Sequence, residues 1–199
     1  LDEITTSAVA TAQYLQERFK PGSRAIILGE NGLRNAMLDA GFELVTDPYT
    51  ADVAVSALNR KLTWESLNAM VNAINRGIPY IATNGDGSFP LEQGVGVGSG
   101  GIMAALEKAS GVKATVIGKP EPLMYEIVMK RLNAHPGSTF VLGDRLETDI
   151  LGAVRANMKS GVVLTGVTDR KMLEASDIKP DHVFEDLFEV LDFLKGGRT

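Results

Sequence analysis

The stretch TFVLGDRLETDI, residues 139–150, decides the fold. Residues 139–142 read as a short buried strand, Gly143 punctuates it, and Asp144 follows at once. A second acid, Asp149, stands where a helical repeat of Ile150, Val154 and Met158 begins. A strand that runs through an acidic turn into a helix is half of a parallel βαβ unit. A carboxylate just past a buried strand is costly unless something pairs with it. Asp149 can cap the helix, accept from a metal-bound water, or do both. Magnesium takes one or two protein carboxylates and keeps several waters, which suits the Asp144–Asp149 pair. On spacing alone the blander alternative, a turn former followed by an N-cap, stands beside it.

The same rhythm extends outward. Residues 114–117 and 161–164 read as further strands. The first runs into Gly118-Lys119-Pro120 and the second into Thr165-Gly166-Val167-Thr168. Ligands of open α/β sheets lie beyond the carboxyl ends of the strands, so Lys119 and Asp144 on neighbouring strands would face one pocket. That pairing points to a phosphate held between an ammonium and a carboxylate-bound cation. The alternative for Lys119 is a solvated turn lysine. Helices are expected at residues 123–132, 150–157, just after Asp169, and at 187–194, with a strand at 182–184.

Upstream, helices are expected at residues 6–19, 33–40, 63–76 and 101–109, and strands at 24–28, 42–45, 52–57 and 78–82. The fold class is therefore α/β with mainly parallel strands. Residues 83–101 interrupt the alternation with seven glycines, so a long loop is expected there, covering or lining something. Within it, Asn84 and Asp86 could meet substrate or could simply form turns. Gly29-Glu30-Asn31-Gly32 reads as a plain strand-to-helix turn. Trp64 and the methionines fall on helical faces and are expected in the core. His135 and His182 have no partner at metal-ligand spacing.

Composition narrows the function classes. The chain has no cysteine, which excludes disulfides and thiolate chemistry. A formal charge of −5 argues against nucleic acid as a partner. No apolar run is long enough to cross a bilayer, and no basic stretch followed by an apolar one opens the chain. A cytoplasmic enzyme or binding protein, with no membrane partner, is expected.

Read together, GKPEPLMYEIV (118–128), GDRLETDILGA (143–153) and VVLTGVT (162–168) resemble the haloacid dehalogenase (HAD) superfamily. The resemblance is to its 4-nitrophenylphosphatase, phosphoglycolate phosphatase and NagD-like branch. ATNGDGSFP (82–90), GVGSGGIMAALEKASG (96–111) and TSAVATAQYL (6–15) resemble the same branch, so the likeness spans essentially the whole chain. It implies an α/β fold made of a large α/β cap at residues 1–113, hinged at 1–6, and the C-terminal part of a HAD-like Rossmannoid core at 114–199. It implies magnesium-dependent hydrolysis of small phosphorylated metabolites through an aspartyl-phosphate. Lys119 would orient the nucleophile and screen phosphoryl charge. Asp144 would ligate Mg2+, and Asp149 would support the metal's water shell. Asn84, Asp86, Phe89 and Pro90 would lie in the cap loop that selects the leaving group, and homodimerisation would use the cap.

One departure from the family is large. Its members open with a strand ending in Asp-x-Asp, and no such pair occurs in these 199 residues. Leu1 is accordingly expected to be an interior residue of a longer protein, the chain lacking the nucleophile segment. A non-catalytic HAD-derived ligand-binding or regulatory domain is the alternative, though it need not keep Lys119, Asp144 and Asp149 together. A flavodoxin-like receiver would explain the alternation but not the three strand-end signatures. The 199-residue chain by itself is expected to be poorly stable and inactive, because no aspartyl-phosphate can form without the carboxylate nucleophile. Magnesium-dependent release of phosphate from 4-nitrophenyl phosphate by the purified chain would contradict this.

Overall fold

The structure, a computed structural model, describes residues 3–196. Residues 1 and 2 of the expected hinge lie outside the described residues. The chain divides into two compact units, Leu1–Gly118 and Lys119–Thr199.

The first unit runs α1 (Ser7–Gln16), β1 (Arg24–Leu28), α2 (Asn31–Asp39), β2 (Glu43–Val45), β3 (Val53–Ser56), α3 (Trp64–Asn75), β4 (Tyr80–Ala82), β5 (Ser88–Pro90), β6 (Val95–Val97), α4 (Ser99–Ser110) and β7 (Thr115–Val116). Five strands form a parallel sheet in the order β2-β1-β3-β4-β7. Every residue of the central β3 is buried, as a strand covered on both faces requires. The chain steps from β1 to β2 through α2, then in the opposite direction from β3 through α3 to β4. Right-handed crossovers therefore place α2 on one face of the sheet and α3 on the other. Met70 and Ile74 of α3 and Leu106 of α4 fill the core beside Ile26 and Leu28 of β1.

Local chemistry sets the helix ends. Thr6 caps α1 by accepting from the Val9 amide at 3.2 Å. Thr63 and Ser66 form a reciprocal capping box at the start of α3. Gly111, at φ 73°, closes α4 in the left-handed conformation that glycine tolerates best.

The second unit runs α5 (Leu123–Leu132), β8 (Phe140–Gly143), α6 (Leu151–Arg155), β9 (Lys159–Val163), α7 (Arg170–Ala175), β10 (His182–Phe184) and α8 (Leu187–Leu194). Its three strands form a parallel sheet in the order β10-β9-β8. Leu146, Ile150 and Val162 form one buried cluster. His182 stacks at 6.1 Å on Phe184 and lies 4.6 Å from the Phe193 ring, so this histidine is packing material.

Four expectations change. The loop at 83–101 contains an antiparallel hairpin, β5 with β6, paired from Ser88↔Val97 to Pro90↔Val95. Strand 114–117 does not belong with the second module, because β7 hydrogen-bonds to β4 in the first sheet; the division between units falls after Gly118 rather than at 113. The helix expected at 150–157 begins as a π turn over Leu146–Ile150, so Asp149 lies inside that turn and is not an N-cap. Trp64 is 72% exposed, and Met172 is exposed as well, because the periodicity of a helix marks a face without showing what covers its ends. Ile74→Ala should accordingly lower stability to urea by about 3 kcal/mol, and Trp64→Ala by no more than about 0.5 kcal/mol.

Candidate functional site

The chemistry-bearing residues of the second unit converge on Asp149. Residues 143–150 are forced together by the π turn, in which the amides of Asp149 and Ile150 both donate to the Arg145 carbonyl, at 3.0 and 3.2 Å. Turns of this kind recur at functional sites because they re-aim a side chain without breaking the helix that follows. Here the turn aims Asp149 back at the end of β8. Its Oδ2 accepts from the Asp144 amide at 3.2 Å and from the Arg145 amide at 3.1 Å. Its Oδ1 accepts from the Lys119 ammonium at 2.7 Å. Asp149 is 6% exposed, so its charge sits largely out of water and is compensated by one cation and two amide donors. Lys119, by contrast, keeps 43% of its side chain exposed, leaving the ammonium able to meet a ligand.

Asp144 is held from the other side. Its Oδ2 accepts from the Val167 amide at 3.0 Å, and its carbonyl accepts from the Thr168 amide at 2.9 Å. The turn after β9 thus grips the turn after β8, which the sequence analysis placed among the three strand-end signatures. Thr168 is buried, and its hydroxyl has no hydrogen-bond partner among the described residues.

Glycines make these approaches possible. A Cβ at Gly143 would overlap the Asp149 side chain, and one at Gly166 would overlap that of Asp144. A Cβ at Gly152 would lie 2.6 Å from the Tyr125 ring. That ring matters, because the Tyr125 hydroxyl donates to the Asp149 carbonyl at 3.2 Å. Burial pushes the Tyr125 phenol up, and the neighbouring Asp149 charge pushes it further. Tyr125 therefore stays a neutral donor across the physiological range. The roles of Tyr125, Gly166 and the Val167 amide are not legible in the sequence alone. The only available signal was their place within the three quoted motifs.

The donor set fits magnesium in part. Among the described residues no cluster of three or more acidic, histidine or cysteine side chains exists. One carboxylate with a free oxygen, Asp144, stands beside a second, and a hard cation that keeps several waters can use such a pair. Asp149 has both oxygens engaged by the protein, so the geometry gives it the work of orienting Lys119 and fixing the Asp144 backbone. That differs from the expected support of a metal's water shell.

The other expected site residues belong to the first unit. The Asn84 carboxamide donates to Asp86 Oδ2 at 2.5 Å and accepts from the Thr83 hydroxyl at 2.8 Å. The Gly100 amide donates to the Asp86 carbonyl at 2.8 Å, and the Ser99 hydroxyl to the Asn84 carbonyl at 3.0 Å. The loop after β4 is thereby locked to the start of α4. Phe89 and Pro90 lie in β5, where the Phe89 ring covers Gly96. Asn84 and Asp86 thus bond to each other and to the start of α4, while Phe89 and Pro90 belong to the β5–β6 hairpin.

Comparison with known proteins accords with this geometry. A family described as HAD-hydrolase-like matches residues 116–190, which contain Lys119, Asp144 and Asp149. An acid sugar phosphatase of Staphylococcus saprophyticus is 34% identical over 194 residues, covering 98% of this chain and 74% of the relative. The structure of the p-nitrophenyl phosphatase of Archaeoglobus fulgidus superposes with a TM-score of 0.92 at 34% identity, over 96% of this chain and 75% of that one. The glycerol phosphate phosphatase of Mycobacterium tuberculosis, solved in complex with magnesium, superposes with a TM-score of 0.86 at 32% identity, over 93% of this chain and 56% of that one. The chain belongs to the HAD-type phosphatases, a magnesium-using family.

Proposed function

We propose that this protein hydrolyses phosphate monoesters of small metabolites, with its second unit supplying Lys119 and Asp144 to the phosphoryl site and its first unit serving as the cap. The observation that carries the reading is the 2.7 Å Lys119–Asp149 pair, tethered through two backbone amides to the turn that bears Asp144. Lys119, held in one direction by Asp149, places an ammonium where phosphoryl charge accumulates. Asp144 offers its remaining oxygen as the metal-facing carboxylate, and Asp149 stabilises both without touching substrate. Magnesium, when bound, supplies positive charge to the phosphoryl oxygens. The attacking carboxylate is the one function in this scheme that no residue of the Lys119–Asp144–Asp149 network supplies.

The range of substrates is read from the relatives, whose names refer to sugar phosphates, glycerol phosphate and p-nitrophenyl phosphate. Asn84, Asp86, Phe89 and Pro90 are the proposed leaving-group contacts, because their loop is rigidly braced and offers both amide and aromatic surface. Homodimerisation through the first unit accords with the exposure of Trp64, Val95 and Val97 there. The reading includes a cytoplasmic location, where such metabolites are found, and no nucleic-acid or membrane partner. Among the described residues no helix is long and apolar enough to cross a membrane.

In the complete protein, with magnesium and p-nitrophenyl phosphate, Lys119→Ala and Asp144→Asn should each lower kcat/KM by about 100-fold or more. Activity within about twofold of the wild type in both variants would remove this reading.

A further inference from the structure

The parallel sheet of the first unit reverses its direction of growth between β1 and β3, since β2 lies on one side of that pair and β4 and β7 on the other. Open α/β sheets hold ligands in the crevice outside the carboxyl ends of the strands at such a point. A cavity of about 540 Å³ lies there, lined by residues 29–32 after β1, residues 59–61 after β3, and Arg34 of α2. A second cavity, of about 150 Å³, lies against β1, β2 and α3, with Ile26, Val45 and Met70 in its wall. Arg34 lines both cavities.

The charges in the larger cavity are unevenly compensated. Arg60 donates to both Glu30 oxygens, at 2.8 and 2.7 Å, and its amide donates to the same carboxylate at 3.0 Å. This pair clasps the end of β3 to the end of β1, and Arg60, with a smaller contribution from the Lys61 charge, holds the Glu30 carboxyl down to about 2. Glu30 is thereby matched by Arg60. The ammonium of Lys61 and the guanidinium of Arg34 form no hydrogen bond or salt bridge among the described residues, although both line the same crevice. Two surplus cations at a ligand crevice, in a chain of net charge −5, call for an anion. The smaller cavity calls for something apolar. A space of about 150 Å³ takes a single aromatic ring.

We propose that this crevice is a binding site for an aromatic phosphomonoester of the size of a pyrimidine nucleoside monophosphate, with its phosphate on Arg34 and Lys61 and its ring in the smaller cavity. The site shares no residue with the Lys119–Asp144–Asp149 network. Its test reads binding alone, so its failure is distinguishable from failure of the phosphatase reading.

Calorimetric titration of the protein with uridine monophosphate in the absence of magnesium tests it. Saturable binding is expected with a Kd below about 1 mM, weakened about tenfold or more in the Arg34→Gln/Lys61→Gln double variant. Arg34 and Lys61 are exposed, so the double variant keeps the fold and should give an unchanged far-ultraviolet dichroism spectrum. Inorganic phosphate and uridine should each bind more weakly than the nucleotide. The proposal is overturned by absence of saturation, by binding lost in Lys119→Ala but kept in the double variant, or by inorganic phosphate binding as tightly as the nucleotide.

Discussion

A single buried carboxylate organises the chemistry of this chain. Asp149 is nearly excluded from water, and a charge so placed survives only if its acceptors are filled. Lys119 fills one oxygen and the amides of Asp144 and Arg145 fill the other. Removing one partner of such a pair leaves a charge without compensation, which is far more costly than the pair is stabilising. The constraint therefore acts on geometry more than on stability. It fixes the direction of the Lys119 ammonium, the path of the backbone through Asp144, and the π turn that delivers Asp149 to both.

The small residues of the second unit follow from that constraint. Gly143 gives room to Asp149, Gly166 gives room to Asp144, and Gly152 admits the Tyr125 ring that bonds the Asp149 carbonyl. Each glycine sits where two strand-end turns or a helix and a ring come closer than a side chain allows. The site is thus assembled from sequence segments 23 to 30 residues apart, and glycine is what lets them touch. Similar logic recurs in the first unit, where a Cβ at Gly98 or Gly100 would overlap the backbone of the loop carrying Asp86.

Much of this was legible in the residues and some was not. The alternation of short apolar runs with helical repeats located every strand of the two parallel sheets, most plainly β3 and β4, which are buried throughout and carry an unbroken apolar signal. Lys119, Asp144 and Asp149 stood out because charge beside a buried strand needs a reason. The structure joins them in one hydrogen-bonded network, although it turns Asp149 inward to Lys119 where a metal-facing role was expected. The β5–β6 hairpin was hidden because its strands are three residues long and set among glycines, which reads as loop. The allegiance of β7 was hidden because strand pairing is a long-range property that no local pattern states. The crevice at the end of β1 and β3 was passed over as a plain turn. Arg34 and Lys61 are distant in sequence, and only the strand order brings them to one cavity.

The central claim is that Lys119 and Asp149 act as one unit. A double-mutant cycle on stability, using Lys119→Met, Asp149→Asn and the combined variant, measures that coupling directly. A coupling of about 1–2 kcal/mol is predicted, moderated by the exposure of the lysine. A coupling within about 0.3 kcal/mol of zero would contradict the account.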